Sequence, residues 1–401
     1  MMEKQKNKTP LVRFPKFNED WDLIHGNELF ERISNKSHNS DLPILAISQE
    51  FGAIPRELIN YKISVTDKSV SSYKVVEKGD FIISLRSFQG GIEYSNYTGI
   101  CSPAYIILRP KVDLNNYFFK IYFKSFNYIQ QLKSKLEGIR DGKMVSYKYF
   151  SEIKLPFPTL KEQKKIAHFF TTLDLKLNQL QEKKSHLKAY KKGLMQKIFS
   201  QEIRFKDNNG KGFSDWVVKK FGEVTYKVGK KNKNNIIYPI YSINNQEGFL
   251  PQSQQFEDLD SNERGYDISM YKIVNEKTFA YNPARINVGS IGYSYNLNQV
   301  IISSLYVCFK ANNELVDLYL LRYLDTYIFN TDIKRYEEGG VRKYLFYDNF
   351  SKMNIPIPCK NEQTKIANFL SKIDEKIENV NQQIEKTKTY KKGLLQKMFV
   401  N

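Results

Sequence analysis

The sequence predicts an α+β protein: two mixed α/β domains separated by two long antiparallel helices, an intramolecular coiled coil with a pseudo-twofold internal repeat. Three observations carry this prediction. Ile153 to Phe199 and Met353 to Phe399 are near copies of one another, both copies carry heptad-spaced apolar residues, and the segments between them hold short β-branched and aromatic runs. The copies align without a gap about 200 residues apart, far beyond the roughly 20–50-residue period of a solenoid. The repeat is therefore a duplicated half, which places a first domain at 1–158, a first helix at 159–200, a second domain at 201–357 and a second helix at 358–401.

In the first domain, runs such as Asp80–Ser84 and Ala104–Leu108 read as buried strands, and Asn115 to Leu136 carries helical spacing of Phe, Tyr, Leu and Ile. The second domain repeats the plan with strands at 300–302 and 305–309 and helical spacing over Leu315–Arg335. The two domains share scattered text. Phe17-x-x-Asp20-Trp21 matches Phe213-x-Asp215-Trp216, Gly52-x-x-Pro55 matches Gly248-x-x-Pro251, Ser102-x-x-Tyr105 matches Ser303-x-x-Tyr306, and Gly138-Ile139-Arg140 matches Gly340-Val341-Arg342. A shared fold with different surfaces follows.

Each helix starts after a proline, Pro158 or Pro358, which disfavours helix in the residue before it; Thr159-x-x-Glu162 fits a capping box that Cys359 cannot reproduce. The seam runs Ile166, Phe170, Leu173, Leu177, Leu180 in the first copy and Ile366, Leu370, Ile373, Ile377, Val380 in the second, with Lys184 standing where the second copy has Ile384. A heptad stripe ordinarily packs in a core. Two matching stripes in one chain pack most simply on each other, antiparallel because each helix must return to the start of the next half. At about 1.5 Å per residue, roughly 40 residues span about 60 Å.

A net charge of +19, from 62 Lys and Arg against 43 Asp and Glu, is an electrostatic footprint for a polyanion, with a solvated lysine surface as the alternative. Richness in Asn, Gln, Ser and Tyr beside the basic residues favours double-stranded DNA, since amides and Arg read base edges while Lys mainly holds phosphate. No apolar run is long enough for a membrane span and the first ten residues are polar, so a soluble cytoplasmic chain with no membrane partner is expected. Cys101, Cys308 and Cys359 are widely spaced with no nearby histidine, which argues against a disulfide framework or a zinc site. No metal is expected. Gly138 to Lys143 has the wrong spacing for a phosphate loop, and Asn282-Pro283-Ala284-Arg285 lacks the second proline and the aromatic of an amino-methyltransferase signature. His25, His38, His168 and His186 form no catalytic pattern, so no catalytic residue is assigned.

The doubled Pro-x-Pro with Glu-Gln-x-x-Ile-Ala at each helix start, and the doubled Lys-Lys-Gly-Leu-x-Gln-x-Phe at each helix end, resemble the specificity subunit of type I restriction-modification systems, usually called HsdS. The likeness covers the whole architecture, with mild departures at Lys184 and Cys359. It implies two target-recognition domains, each reading one half of a split DNA site, and no catalytic centre or cofactor in this chain. It also implies helices that hold two methyltransferase subunits, which bind S-adenosylmethionine, and restriction subunits, which use ATP and Mg, joining that core. Two unlike domains predict a bipartite, non-palindromic site, with the strut setting the spacer. Adenines to be methylated would flip into the partner's pocket.

Candidate DNA contacts lie in polar, glycine-punctuated segments beside strands. They are Lys68, Tyr73, Arg86, Ser87, Gln89, Arg140 and Lys143 in the first domain, and Lys230, Lys231, Lys233, Asn282, Arg285, Asn287, Arg342 and Lys343 in the second. Arg86, Gln89, Arg285 and Asn287 are assigned to base edges, the lysines to phosphates. The lysines at the helix ends, Lys188, Lys191, Lys192 and Lys197 with Lys388, Lys391, Lys392 and Lys397, either follow a DNA backbone or favour the negative ends of the helix dipoles. Two other classes compete: a stand-alone methyltransferase or nuclease, and a coiled-coil adaptor that binds no DNA.

Overall fold

A computed structural model describes residues 9–39, 41–59, 70–134, 145–245, 247–255, 261, 263, 265 and 267–400. Two compact units emerge, and they cut across the helices. Unit 1 holds residues 1–182 with 381–401, and unit 2 holds 183–380.

Each unit is built on an antiparallel four-stranded sheet of one topology. In unit 1 the order is Phe30–Ile33, Ile106–Pro110, Phe81–Ile83, Glu93–Tyr94; in unit 2 it is Thr225–Val228, Val307–Ala311, Phe279–Tyr281, Ile291–Tyr293. The central strands are apolar on both faces and fully buried, as their β-branched and aromatic runs require. A second layer follows the same plan. Unit 2 orders Phe249–Pro251, Ile240–Ile243, Val300–Ile302 and Lys272–Val274 in one sheet; unit 1 has two hairpin-like pairs, Leu45–Ser48 with Gly52–Pro55 and Lys74–Val76 with Gly99–Cys101, linked by a bridge between Ile44 and Ile100. The strands expected at 104–108 and 305–309 begin two residues later, because Ser102–Tyr105 and Ser303–Tyr306 close as turns through Tyr105 N to Ser102 O and Tyr306 N to Ser303 O.

The helical spacing over 115–136 resolves into two helices, Asn116–Tyr122 and Phe126–Ser134, and that over 315–335 into Asp317–Tyr323 and Tyr327–Tyr336. The breaks have a local cause. Ser125 and Thr326 lie between the helices of each pair, their hydroxyls accepting from Tyr128 N and Phe329 N at 3.3 and 3.2 Å, so each hydroxyl starts a new helix.

A last strand pair closes each domain and leads into its helix: Asp22–His25 with Lys154–Phe157, and Val217–Lys220 with Asn354–Ile357. The long helices run Leu160–Phe199 and Lys360–Lys397. In unit 1 the end of the second helix packs on the start of the first: Phe399 stacks on Phe170 with centroids 6.3 Å apart and lies 5.5 Å from Tyr122. Unit 2 mirrors it, with Phe199 at 5.5 Å from Tyr319 and in one core with Ile366, Leu370 and Ile373. The helices are thus antiparallel, and each terminal phenylalanine contributes about 1.5–3 kcal/mol of burial to the domain that the other helix starts from. After the first helix the chain turns back through Ile203 N to Lys197 O at 3.1 Å in unit 2, and in unit 1 the N-terminal segment meets the end of the second helix in the same way, through Val12 N to Lys397 O at 3.0 Å.

Candidate nucleic-acid interface

In both units the strand at the middle of the main sheet runs into a loop that passes through a left-handed glycine, Gly91 or Gly289, and the register of the flanking strands makes the connection one residue longer in unit 2. Gly91 has φ +82° and Gly289 has φ +87°; a Cβ on Gly91 would lie 1.9 Å from Phe123 O. Only glycine fits there. Each loop makes one short helical turn, Ser87–Gly90 and Ile286–Val288, with Arg86 and Arg285 as the residues at its start. Arg86, Gln89, Arg285 and Asn287 are all exposed. Both loops present a guanidinium and an amide, although the strand register sets Gly289 against Gly90, so that Gln89 and Asn287 stand at neighbouring and not identical positions. The hairpin tips beside them were missed in the sequence. Gln49 Nε2 donates to Arg86 O at 3.1 Å and packs over Gly90, while Asn245 faces Gly289.

Not every residue assigned to this surface reaches it. Tyr73 is buried with Val70, Val75 and Ile100, and Ser87 is fully buried with its Oγ accepting from Ser84 N at 2.8 Å; both shape the domain and neither offers a contact to DNA. Asn282 is half-buried and its Oδ1 accepts from Ala284 N at 3.0 Å, which fixes the turn below Arg285. Arg342 and Lys343 are exposed at the tip of a short hairpin closed by Glu338 and Tyr344. Lys68, Arg140 and Lys143 lie outside the described residues.

Lys230, Lys231 and Lys233 line a cleft of about 660 Å³ with Asn234, Gln299 and Lys310. Buried Asn232 shapes it, accepting from Ile236 N at 3.1 Å and donating to Ile236 O at 2.8 Å. The equivalent turn in unit 1 is found through its backbone. Val75 N bonds to Asn35 O as Ile273 N bonds to Lys230 O, so Asn35, Lys36 and His38 stand where Lys230, Lys231 and Lys233 do. One lysine replaces three. Below each turn a lysine crosses the second layer: Lys74 Nζ donates to Pro103 O and Tyr105 O at 2.6 and 2.7 Å, and Lys272 Nζ to Tyr306 O at 2.5 Å. Burial lowers the pKa of both lysines, and their job is to hold the matched Ser-x-x-Tyr turns.

Burial pushes the Cys101 thiol up to about 12 and the Cys308 thiol up to about 11, so neither is a nucleophile near neutral pH. Among the described residues no cluster of His, Cys, Asp and Glu has the arrangement to hold a metal ion. Among them, too, no helix is long and apolar enough to cross a membrane.

The family model for the type I restriction modification DNA specificity domain matches twice, over residues 18–189 and 214–389. The chain belongs to this family. It is 25% identical to a Methanocaldococcus jannaschii chain provisionally named the MjaX type I restriction enzyme specificity subunit, over 96% of this chain and 94% of that one. A solved structure described as the basis of complex assembly and conformational transition of the type I system shares the fold at TM-score 0.57 and 16% identity, covering 94% and 97% of the two chains. The HsdS subunit of Thermoanaerobacter tengcongensis does so at TM-score 0.52 and 17% identity, covering 96% and 97%. The chain is thus a DNA specificity subunit of a type I restriction-modification system, the non-catalytic component of its enzyme.

In this specificity subunit the repeated Glu-Gln pair is a clamp. Glu162, only 1% exposed, accepts from Arg13 Nε at 2.7 Å, Arg13 Nη2 at 2.8 Å and Trp21 Nε1 at 3.1 Å. Glu362 repeats this with Arg204 Nη2 and Trp216 Nε1, both at 2.9 Å. Gln163 accepts from Asn115 N and donates to Pro158 O, as Gln363 does with Val316 N and Pro358 O. The capping box expected at Thr159 is therefore half-formed: its Oγ1 accepts from Glu162 N at 3.4 Å, but the carboxylate turns to Arg13 and Trp21. Of the predicted seam, Ile166, Phe170, Leu180, Ile366, Leu370, Ile373 and Val380 are buried, and Leu173, Leu177 and Ile377 half-buried. Two reciprocal ion pairs lock the antiparallel register, Lys191 with Asp374 at 2.7 Å and Lys391 with Asp174. Two of the helix-end lysines thus belong to the frame, while Lys192 and Lys392 stay exposed.

Proposed function

We propose that the two recognition domains, 1–158 and 201–357, each read one half of a bipartite, asymmetric site in double-stranded DNA, and that the helices 159–200 and 358–401 carry two methyltransferase subunits. One observation supports this most. Two domains whose surfaces otherwise differ keep an exposed arginine and an exposed amide on the loop that leaves the same strand of the main sheet and passes through a left-handed glycine. Arginine forks onto guanine and amides pair with adenine in the major groove, so the pair suits base readout, and the flanking lysines suit phosphate. The helices set the spacing between half-sites, S-adenosylmethionine and the flipped adenine bind in the methyltransferase subunits, and restriction subunits with ATP and Mg complete the nuclease in the cytoplasm.

The test is to co-express the chain with its methyltransferase subunit and map modified adenines across a genome by single-molecule sequencing. One split motif with a fixed non-specific gap is the expected result. A complex that forms yet modifies no defined motif overturns the reading. The purified chain alone should neither methylate nor cleave DNA; activity from it would favour a stand-alone enzyme.

A further inference from the structure

Strand register lays the two domains over one another, and one region comes out with opposite charge in each. Glu31 faces Arg109 across the first two strands of the unit 1 sheet, as Tyr226 faces Lys310 in unit 2. The connections Glu77–Asp80 and Asn275–Thr278, each leading into the middle strand, align without a gap, because Gly79 N bonds to Ser95 O as Lys277 N bonds to Ser294 O. In unit 1 these positions neutralise one another. Arg109 Nε donates to Asp80 Oδ1 at 2.8 Å, and its Nη1 lies 2.9 Å from Glu77 Oε1, so the guanidinium is taken up within the domain.

In unit 2 all three carboxylates are gone: Tyr226, Asn275 and Thr278 stand where unit 1 has Glu31, Glu77 and Asp80. Lys310 keeps only the backbone carbonyl of Glu276, at 3.0 Å, and joins Lys230, Lys231 and Lys233 around the cleft of about 660 Å³. Among the described residues, none that lines this cleft is acidic and none of its four lysines forms an ion pair. Like charges around one concavity repel one another and focus a positive field into it. A solvated lysine surface does not require that three carboxylates be removed from the same place.

The position of the cleft in the fold selects among anions. Thr278 and Asn282 bracket the strand Phe279–Tyr281, so the cleft and the loop of Arg285 and Asn287 lie at opposite ends of one strand, about 13 Å apart at roughly 3.3 Å per residue. A DNA strand advances about 3.4 Å per nucleotide, so a duplex read by that loop passes the cleft about four nucleotides away. The exposed amides of Asn234, Asn275 and Gln299 supply neutral donors for phosphate and sugar oxygens beside the lysines.

We infer that the cleft of unit 2 holds the sugar-phosphate backbone of the duplex about four nucleotides from the bases that Arg285 and Asn287 meet, and that unit 1 has no equivalent grip. This rests on the reading of one half-site by each domain, and it adds that the two halves are held unequally. Unit 2 is anchored by charge to one side of its readout, whereas unit 1 depends on the readout itself.

The experiment uses the complex of the full-length chain with its methyltransferase subunit, and duplexes carrying the mapped motif in which one phosphodiester at a time is replaced by an uncharged methylphosphonate. The half-site of unit 2 is the one that Arg285→Ala relaxes. Neutral linkages about three to five nucleotides from the bases of that half should weaken binding about three- to tenfold in fluorescence anisotropy, while the same walk from the other half should cost less than about twofold. Asn275→Glu, Thr278→Asp and Lys310→Arg made together rebuild in unit 2 the pairs that unit 1 already folds with. That triple variant should bind the unmodified duplex about tenfold or more weakly, lose the methylphosphonate penalty and modify the same motif. Equal or absent penalties at the two halves, or a penalty that survives in the triple variant, overturn the inference alone. So does a triple variant that binds DNA like the wild type yet loses a subunit in native mass spectrometry, which would assign the cleft to an acidic protein surface. A complex that modifies no motif, or a motif that Arg285→Ala leaves intact in both halves, overturns the half-site reading and the inference with it.

Discussion

Unit 1 and unit 2 are the same frame carrying different loops, and the difference shows which residues the frame needs. Strand order, the two clamps at Glu162 and Glu362, the lysines under the Ser-x-x-Tyr turns and the reciprocal ion pairs recur residue for residue. The turn at Asn35–His38 and its counterpart Lys230–Lys233 do not, and neither do the loops around Arg86 and Arg285 beyond their shared arginine and amide. The clamps, turns and ion pairs that recur are buried or paired, whereas the turns and loops that differ are exposed.

The largest test of that division is at the clamps. Glu162→Ala leaves Arg13, which is 13% exposed, with the Glu19 carbonyl but no carboxylate, and takes the partner from the buried Trp21 Nε1; it should cost about 3–5 kcal/mol in urea unfolding. Glu362→Ala should cost less, about 1–3 kcal/mol, because Arg204 is 25% exposed and Trp216 is half-buried, so water replaces part of what the carboxylate supplied. Equal effects would break the distinction. Next come the loops. Arg86→Ala should relax one half of the modified motif and Arg285→Ala the other, each by about 1–3 kcal/mol or roughly 5–150-fold in site preference, read by sequencing modified DNA. A variant that altered both halves would show that the loops are not separate readers.

The basic turns follow. Replacing Lys230, Lys231 and Lys233 together by alanine should flatten the dependence of log affinity on log salt by about 0.9 for each phosphate no longer neutralised, and Lys36→Ala by no more than one such step, measured by fluorescence anisotropy across a salt series. The smallest effect is expected at the ion pairs. Asp374 also holds Arg322 at 2.7 Å, so Lys191→Ala leaves it a partner, whereas Lys391→Ala leaves Asp174 without one among the ion pairs of the frame. Thermal denaturation should show under about 0.5 kcal/mol for the first and up to about 1 kcal/mol for the second.

Much of the frame was legible because it repeats. The heptad seam, the prolines before each helix and the buried strands at 81–83 and 300–302 follow from period and residue type, which are local properties. The role of the Glu-Gln pair was not legible, since Glu162 meets Arg13 and Trp21 across some 140 residues of chain and only the fold brings them together. The matched tryptophans were the available signal. Among the candidate contacts, Arg86, Gln89, Arg285 and Asn287 are exposed as expected, while Tyr73 and Ser87 are not. Polar residues beside strands serve turns as often as surfaces, and a serine hydroxyl that closes its own loop looks the same in sequence as one that faces a ligand.

The bend at Ile203 and the meeting of Val12 with Lys397 have a genetic consequence. Because the amide of Val12 does at one helix end what the amide of Ile203 does at the other, the polypeptide behaves as a ring opened at one of two equivalent joints. A gene fused across Val12 and Lys397 and opened near Ser200 would encode the same domains in the opposite order. On the proposed reading of one half-site by each domain, a cell that exchanges one half of this reading frame for another, at the matched helix text, gains a new half of its modification motif without having to evolve a new frame.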